Sequence, residues 1–167
     1  MALREILKRG DPVLNKKAHP VTKFDDRLHS LLDDLHETLD DAGGAGLAAP
    51  QIGILRAVVL VVNNEDETLE LVNPTILSAE GEQDGLEGCL SIPGYWGFVK
   101  RPEKVRLRAQ DRNGNWFEVE GTGMAARCYC HELDHLDGKL YTELASRLYT
   151  TEEVDEMAER HREERIE

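Results

Sequence analysis

A chain of 167 residues has the length of one ordinary domain, and 40% hydrophobic residues suffice for one core. The formal net charge of −13 argues against direct nucleic-acid binding, because nucleic-acid-binding proteins usually carry a basic face. The chain starts without the apolar segment of a signal peptide, has no apolar run long enough to cross a bilayer, and carries three cysteines, which form no even disulfide framework. We therefore expect one cytoplasmic domain over residues 1–167, with no membrane partner.

A helix followed by strands is predicted in the first two thirds of the chain. Five leucines recur at helical spacing over residues 25–42, where Asp25 can cap the start of the helix and Gly43 can end it. Four strands are predicted over residues 56–63, 68–77, 104–111 and 116–121. The last two strands are joined through Asn113-Gly114, a pair that favours a tight hairpin turn.

Two more helices are predicted near the end of the chain. One begins near Thr122 or Gly123 and ends at Gly138, and the other begins at Thr150, where Glu153 completes a capping box. Residues 151–167 are expected to form this charged C-terminal helix. Its inner side is predicted to carry Val154, Met157 and Ala158. The order helix, strands, helices predicts an α+β fold with antiparallel or mixed sheets rather than alternating βαβ units.

The strongest chemical signal is the segment His131-Glu132-Leu133-Asp134-His135. Residues four apart lie on the same face of a helix, so both imidazoles can reach one metal ion. Glu132 lies about 100° round the helix, where its carboxylate can reach a water on that ion without being a ligand. Met124 and Cys128 continue the same face, which predicts that this helix is buried. The sheets are therefore expected to pack around a central metal-binding helix.

Two imidazoles do not complete a catalytic metal site, which usually has three protein ligands. The C-terminal helix offers several glutamates, namely Glu152, Glu153 and Glu156. A different choice is Cys89, in the segment 85–91, which we predict to be a loop. A thiolate with two imidazoles is a known kind of ligand set, but a cysteine is as often a small buried apolar residue. The residues by themselves leave these alternatives open.

Three segments resemble the signature motifs of the peptide deformylase family, in the family's order. They are Gly44–Gln51, Glu87–Ser91 and His131–His135. The segments Gly10–Leu14 and Arg101–Val105 also resemble family members, so the resemblance extends from the start of the chain to about residue 141. It implies a hydrolase that removes the formyl group from the N-terminal methionine of newly made proteins.

The resemblance also implies a metal centre. Cys89, His131 and His135 would bind one divalent ion, with water in the fourth position. Ligand chemistry alone suggests zinc, whereas the family implies Fe²⁺, with Ni²⁺, Co²⁺ or Zn²⁺ as substitutes. The implied partners are N-formylmethionyl peptides and nascent chains, with transient contact to the ribosome. The acidic tail argues against docking to ribosomal RNA through residues 151–167.

The remaining implied roles concern catalysis and substrate binding. Glu132 would take a proton from the attacking water and pass it to the leaving amine. The side-chain amide of Gln51 and the backbone N–H of Leu90 would stabilise the oxygen that becomes negative. Gly44 and Gly46 would present backbone to the substrate peptide, which would lie strand-like across the site.

Two other classes of protein share part of this pattern. An endopeptidase with the same histidine spacing would take its third ligand from the C-terminal helix, so Glu153→Ala would lose metal and Cys89→Ala would not. A structural metal site would need a fourth protein ligand and would give the carboxylate of Glu132 no role. Neither class accounts for the two motifs that precede His131.

Overall fold

The structure is a computed structural model that describes residues 2–166, with side chains up to residue 164. Its helices are α1 (Asp26–Ala42), α2 (Gly123–Leu136) and α3 (Thr151–Ile166). Its strands are β1 (Leu47–Ala48), β2 (Val58–Val62), β3 (Thr68–Glu80), β4 (Gln83–Cys89), β5 (Ile92–Arg101), β6 (Lys104–Gln110), β7 (Trp116–Thr122) and β8 (Tyr149–Thr150). The predicted α+β class is confirmed. Residues 1 and 167, the ends of the predicted domain and of the charged helix, lie outside the described residues.

The strands form two antiparallel sheets. The first has the order β1-β2-β3-β6-β7, and the second has the order β4-β5-β8. Every pairing between these strands is antiparallel, and the only parallel pairing among residues 2–166 is an isolated bridge between His19 and Arg56. The strand order depends on contacts between distant segments, which the local sequence patterns did not predict.

Local capping signals place the helix ends as predicted. The side chain of Asp25 accepts a hydrogen bond from the backbone N–H of Leu28 at 3.2 Å, and Gly43 ends α1 with a φ of 73°. This left-handed conformation is easy for glycine. At the start of α3, Thr150 and Glu153 each accept a hydrogen bond from the other's backbone N–H, at 3.2 Å in both directions. The predicted capping box is therefore present.

Strand β2 is buried on both faces, which explains its uninterrupted apolar sequence. Successive side chains of a strand point to opposite faces. Val59 and Val61 accordingly belong to the cluster that contains the buried side of α2, whereas Val58 and Leu60 belong to the cluster beneath α1. The leucines of α1 in that second cluster are Leu28, Leu31, Leu32, Leu35 and Leu39. Each buried leucine contributes about 2 kcal/mol to stability, so α1 is held mainly by this face.

Helix α2 contacts strands of both sheets, including β1, β2, β6 and β7 of the first and β5 of the second. The predicted central helix is thus confirmed. Its burial is less complete than predicted, however, because Met124 at its first turn is 74% exposed and Cys128 is half-buried. Both residues line a cavity between the two sheets, and Cys128 also packs against the edge of the core. The face that carries the histidines is therefore open to this cavity at its N-terminal end.

The prediction of a loop over residues 85–91 was wrong. Residues up to Cys89 belong to β4, and β5 was not predicted at all. Two residues then connect the strands in a turn, and the register shifts between Glu87 and Cys89. Glycines at positions 85 and 88 hid the strand pattern, since glycine is uncommon in strand interiors.

The prediction for the inner side of α3 was correct only in part. Val154 and Met157 are half-buried, but Ala158 is exposed. The helix packs mainly against β8 and β5, so it has too little neighbouring structure to bury a full face. No helix within residues 2–166 is long and apolar enough to cross a membrane.

Candidate metal centre and active site

Cys89, His131 and His135 come together at the inner end of the cavity. One ligand atom from each residue lies within 4.8 Å of the others. The sulfur of Cys89 lies 3.4 Å from Nε2 of His135, and the centroids of the two imidazole rings are 5.1 Å apart. Within residues 2–166 this is the one group of three such side chains that could hold a metal ion. A thiolate and two imidazoles are ligands that zinc and iron both accept, so the donor set fits a divalent transition metal.

The approach of Cys89 to α2 follows from the end of β4. Cys89 is the last residue of the strand and pairs with Ile92, the first residue of β5, across the turn. The hairpin between β4 and β5 therefore holds the thiol at its tip. Cys130 lies in the core on the other side of α2, and the thiol of Cys128 lies 3.6 Å from the backbone oxygen of Ala45. Neither belongs to the candidate metal group.

A buried carboxylate fixes the orientation of His131. Oε1 of Glu87 lies 2.8 Å from Nδ1 of His131. Because an ionised carboxylate can only accept a hydrogen bond, Nδ1 carries the proton and Nε2 is left free for a metal ion. This tautomer is inferred from the chemistry of the partner.

Two arginines keep Glu87 ionised although its side chain is only 3% exposed. Arg101 donates from Nε at 2.7 Å and from Nη2 at 2.9 Å, and Arg127 donates from Nη1 at 2.7 Å. Burial acts to raise the pKa of Glu87, but hydrogen bonds from Arg101 and His131 outweigh it and lower the pKa to about 2. Arg101 also donates to Asp134 at 2.7 Å. The charges are therefore paired, as buried charges must be.

The two histidines have opposite electrostatic surroundings. Burial lowers the pKa of His135 to about 3, helped by the nearby charges of His131 and Arg101, so its imidazole is neutral and able to bind a metal. Burial also acts to lower the pKa of His131, but hydrogen bonds with Cys89 and Glu87 raise it well above its usual value. The thiol and carboxylate on either side of His131 thus favour a positive charge at this point, which a bound cation would supply.

Glu132 is buried in the wall of the same cavity, and its Oε1 has no hydrogen-bond partner. Burial raises its pKa to about 7, the charge of His131 lowers it, and the charge of Glu87 raises it further. A carboxyl group with a pKa near neutrality can both accept and return a proton at physiological pH. Room for it depends on Gly46, since a Cβ built there would lie 2.6 Å from Oε2 of Glu132.

Gln51 and Leu90 also lie at the site. Nε2 of Gln51 donates to Oγ of Ser91 at 3.0 Å and lies 3.6 Å from the sulfur of Cys89, so the amide is aimed at the metal centre. Leu90 lies in the turn after β4, and a Cβ built at Gly44 would lie 2.8 Å from its Cδ1. The glycines at positions 44 and 46 are therefore needed because site residues approach the backbone closely.

The cavity has a volume of about 770 Å³ and opens between the edges of the two sheets. One side is formed by residues 43–46, next to β1, and the other by residues 86–90, at the end of β4. Both β1 and β4 are edge strands of their sheets. An extended peptide can therefore enter between two strand edges, whose outward backbone N–H and C=O groups are not paired within their sheets.

Sequence reasoning missed the residues that support the centre. Arg101 and Arg127 were not predicted to act near the site, and Glu87 was noted only as part of a motif. Tyr141 packs its ring against that of His131, with centroids 5.9 Å apart and an angle of 28°, and its hydroxyl donates to the backbone oxygen of Tyr95 at 3.2 Å. One signal was available in the sequence, namely Arg127 within the largely apolar segment 124–130, because a buried arginine requires an acidic partner.

The alternative third ligand in the C-terminal helix finds no support. Glu153 accepts a hydrogen bond from Arg147 at 2.9 Å and forms the helix cap with Thr150. Neither Glu153 nor the exposed Glu152 and Glu156 belongs to the group of candidate ligands.

Comparison with known proteins identifies the family to which the chain is similar. The family model described as polypeptide deformylase matches residues 3–151. A peptide deformylase of Caldicellulosiruptor bescii is 48% identical over 160 residues, covering 96% of both chains. A peptide deformylase of Heliobacterium modesticaldum is 55% identical over 143 residues, covering 86% of this chain and 94% of the relative.

Solved structures show the same similarity. The crystal structure of a peptide deformylase from Legionella pneumophila matches with a TM-score of 0.83 and 45% identity, over 87% of each chain. That from Thermotoga maritima matches with a TM-score of 0.83 and 37% identity, over 88% of this chain and all of the other. The chain belongs to the polypeptide deformylase family, the metal-dependent hydrolases that remove the formyl group from the N-terminal methionine of newly made proteins.

Proposed function

We propose that Cys89, His131 and His135 hold one divalent metal ion, and that Glu132 is the proton acceptor and donor of deformylation. The observation that carries this proposal is the convergence of three ligand atoms within 4.8 Å beside a buried, unpartnered carboxylate. An ion held there would act as a Lewis acid and lower the pKa of a nearby water towards neutrality.

Glu132 takes the first proton of the reaction in this scheme. Water attacks the formyl carbon and gives one proton to the carboxylate. The bond between the formyl carbon and the methionine nitrogen then breaks, and Glu132 returns the proton to that nitrogen. A free amine and formic acid leave, and the acid gives its remaining proton to the solvent or the amine to become formate. The raised pKa of Glu132 supports both transfers, because the carboxyl group can change its protonation state near pH 7.

The formyl oxygen becomes negative during the attack and needs hydrogen-bond donors. We assign the side-chain amide of Gln51 and the backbone N–H of Leu90 to this task. The amide is buried, and its nitrogen is held near the sulfur of Cys89 by Ser91, so it has little freedom to lose when a substrate binds.

The substrate peptide lies in an extended conformation between the segments that contain Gly44 and Gly46 on one side and the end of β4 on the other. Its backbone would continue the hydrogen bonding of the two strand edges. A formyl carbon bears only hydrogen, so a close-fitting site excludes the methyl group of an acetylated peptide.

Fe²⁺ is the metal that we propose for the native enzyme, with Ni²⁺, Co²⁺ or Zn²⁺ able to replace it. The partners are N-formylmethionyl peptides and nascent chains, with a transient contact at the ribosome and no direct binding of nucleic acid. The net charge of −13 supports the last point. We further propose that residues 1–167 form one domain that acts in the cytoplasm, where a free thiolate ligand remains reduced.

The direct test is amine release from formyl-Met-Ala-Ser and from acetyl-Met-Ala-Ser, with protein purified under nitrogen and loaded with Fe²⁺. Turnover of the formyl peptide alone is expected. Turnover of neither peptide by protein that holds one equivalent of metal would contradict the proposal. Cleavage within unblocked peptides would point to the endopeptidase alternative.

A further inference from the structure

Trp96 forms part of the cavity wall, next to the metal centre. A Cβ built at Gly88 would lie 2.5 Å from Cζ3 of Trp96 and 2.7 Å from its Cε3. The six-membered ring of the indole therefore packs directly on the backbone of Gly88, the residue before Cys89. Only a residue without a side chain leaves room for the ring at this position.

The indole is held from its other end by the C-terminal part of the chain. Nε1 of Trp96 donates to Oγ1 of Thr151 at 3.1 Å, and the backbone of Trp96 pairs with Tyr149 in β8. A ring fixed at both ends loses little conformational freedom when a ligand packs against it. It nevertheless remains 36% exposed and lines the cavity.

The lining of the cavity contains apolar side chains besides Trp96. They include Leu86, Pro93 and Met124. Arg127 is the single lysine or arginine among the described residues that line the cavity, and its charge is paired with Glu87. The cavity therefore offers ring and methylene surface and, among the described residues, no unpaired basic group for an acidic side chain.

We propose that Trp96 is a specificity-determining residue, whose indole packs against an apolar side chain, best an aromatic one, of the second or third residue of the substrate. The inference rests on the proposed function, because it requires the peptide to extend from the metal centre along the end of β4. A strand advances about 3.3 Å per residue, so a ring on Gly88 is within reach of the second or third residue of the peptide.

The test compares formyl-Met-Ala-Ser with formyl-Met-Phe-Ser and formyl-Met-Ala-Phe, using the iron-loaded wild type, Trp96→Ala and Trp96→Phe. An aromatic contact of this kind favours a phenylalanine peptide about 5- to 10-fold in kcat/KM. We expect that preference in the wild type, carried by KM, and expect Trp96→Phe to retain most of it. Trp96→Ala should reduce it to less than about 2-fold. The position of the effective phenylalanine identifies the residue that is recognised.

Trp116→Phe is the matched control, since Trp116 is the other tryptophan of the chain and lies on β7 outside the cavity lining. It also leaves Trp96 as the single fluorescent indole. In this variant the product Met-Phe-Ser should change the emission of Trp96 in a saturable way, at lower concentration than Met-Ala-Ser. Thr151→Val removes the hydrogen bond to the indole and should raise KM for the phenylalanine peptide with little change in kcat.

Equal kcat/KM for the three peptides in the wild type, or a phenylalanine preference that survives in Trp96→Ala, would overturn the inference and leave the proposed function intact. Failure to turn over any formyl peptide would overturn the proposed function instead. In that case product binding to Trp116→Phe still tests the role of Trp96. Equal binding of Met-Phe-Ser and Met-Ala-Ser, or no binding of either, would refute it.

Discussion

The carboxylate of Glu87 lies 2.8 Å from Nδ1 of His131, although 44 residues separate the two along the chain. Strand β4 brings Glu87 to helix α2, and the same strand carries Cys89 to the metal centre two residues later. One element therefore supplies both a metal ligand and the group that orients another ligand. The geometry of the centre depends on the packing of β4 against α2 as much as on the histidine spacing.

Replacement of Glu87 by glutamine is expected to weaken metal binding about 10- to 100-fold, because His131 loses the acceptor that fixes its tautomer and ring. The binding of Co²⁺, followed by its visible absorption, measures this without relying on activity. The spectrum of the bound ion should also shift, since a displaced imidazole changes the ligand field.

Asp84→Asn is the control for Glu87→Gln. Asp84 is exposed on the same strand, and its replacement removes the same charge. It should bind Co²⁺ like the wild type. A Glu87→Gln protein with unchanged Co²⁺ affinity and spectrum would show that other contacts orient His131. Its thermal unfolding should be recorded as well, since Arg101 and Arg127 lose a charged partner.

Addition of a methyl group at position 46 should reduce turnover more than addition of one at position 44. At Gly46 the new Cβ meets Oε2 of Glu132 at 2.6 Å and the backbone oxygen of Leu60 at 2.9 Å, and the backbone cannot move away. At Gly44 the three nearest atoms all belong to the side chain of Leu90, which can change rotamer.

We expect Gly46→Ala to lose at least about 100-fold in kcat, the size of effect seen when catalytic geometry is displaced by about 1 Å. The factor by which kcat falls in Gly44→Ala should be less than a tenth of the factor in Gly46→Ala. Release of amine from formyl-Met-Ala-Ser measures both values. Equal losses would mean that the approach of Glu132 to Gly46 is not what limits the reaction.

Glu132→Gln should retain the metal ion and lose turnover by about 100- to 10,000-fold, the usual contribution of a positioned acid–base group. The amide cannot accept a proton from water. Metal content by elemental analysis and kcat for the formyl peptide are measured on the same preparation. A variant that holds metal and keeps full activity would exclude Glu132 as the proton acceptor.

Elements with strong local signals could be predicted from the sequence. Asp25 caps α1 and Gly43 ends it, and the cap at Thr150 starts α3. The histidine pair could also be found, because residues four apart in a helix share a face regardless of the rest of the fold. Each of these features depends on neighbours within one or two turns.

The features that could not be predicted depend on distant contacts. Position 85 in β4 is a glycine because a Cβ there would approach the guanidinium of Arg127 to 3.1 Å. Position 97 in β5 is a glycine because a Cβ there would meet that of Ala145 at 2.6 Å. Without these partners in view, glycine-containing strands resemble loops. The choice of Cys89 over the glutamates of α3 likewise came from the family resemblance and not from spacing.

A pH-dependent contribution to stability is expected from Glu70, which joins β3 to α1 and to the turn before β7. It accepts hydrogen bonds from Nε of Arg112 at 2.9 Å and from His36 at 2.8 Å. Burial acts to raise the pKa of Glu70, but the bonds to Arg112 and His36 outweigh it and hold the pKa below its ordinary value of 4.5. The ionised carboxylate therefore stabilises the folded state above that pH, and the contribution is lost as the pH falls through the lowered pKa.

Glu70→Gln should lower the free energy of unfolding by roughly 1 kcal/mol at pH 7 and by progressively less below pH 4.5. Urea unfolding at several pH values, in parallel with the exposed variant Glu67→Gln, measures the difference. A loss of unfolding free energy that is constant across this pH range would show that the ion pair does not cause it.

The last prediction concerns the metal ion. Cys89 is half-buried and lines the open cavity, so dissolved oxygen can reach the thiolate and any ion that it holds. Protein that is stripped with a chelator should lose turnover, and Fe²⁺ or Ni²⁺ added under nitrogen should restore it.

In air the iron-loaded protein should then lose activity faster than the nickel-loaded protein, because Fe²⁺ is readily oxidised and exposes the thiolate to the resulting oxidants. Samples kept under nitrogen control for thermal loss. Equal decay of the two forms in air would count against Fe²⁺ as the native ion, whereas loss confined to the iron form would support it.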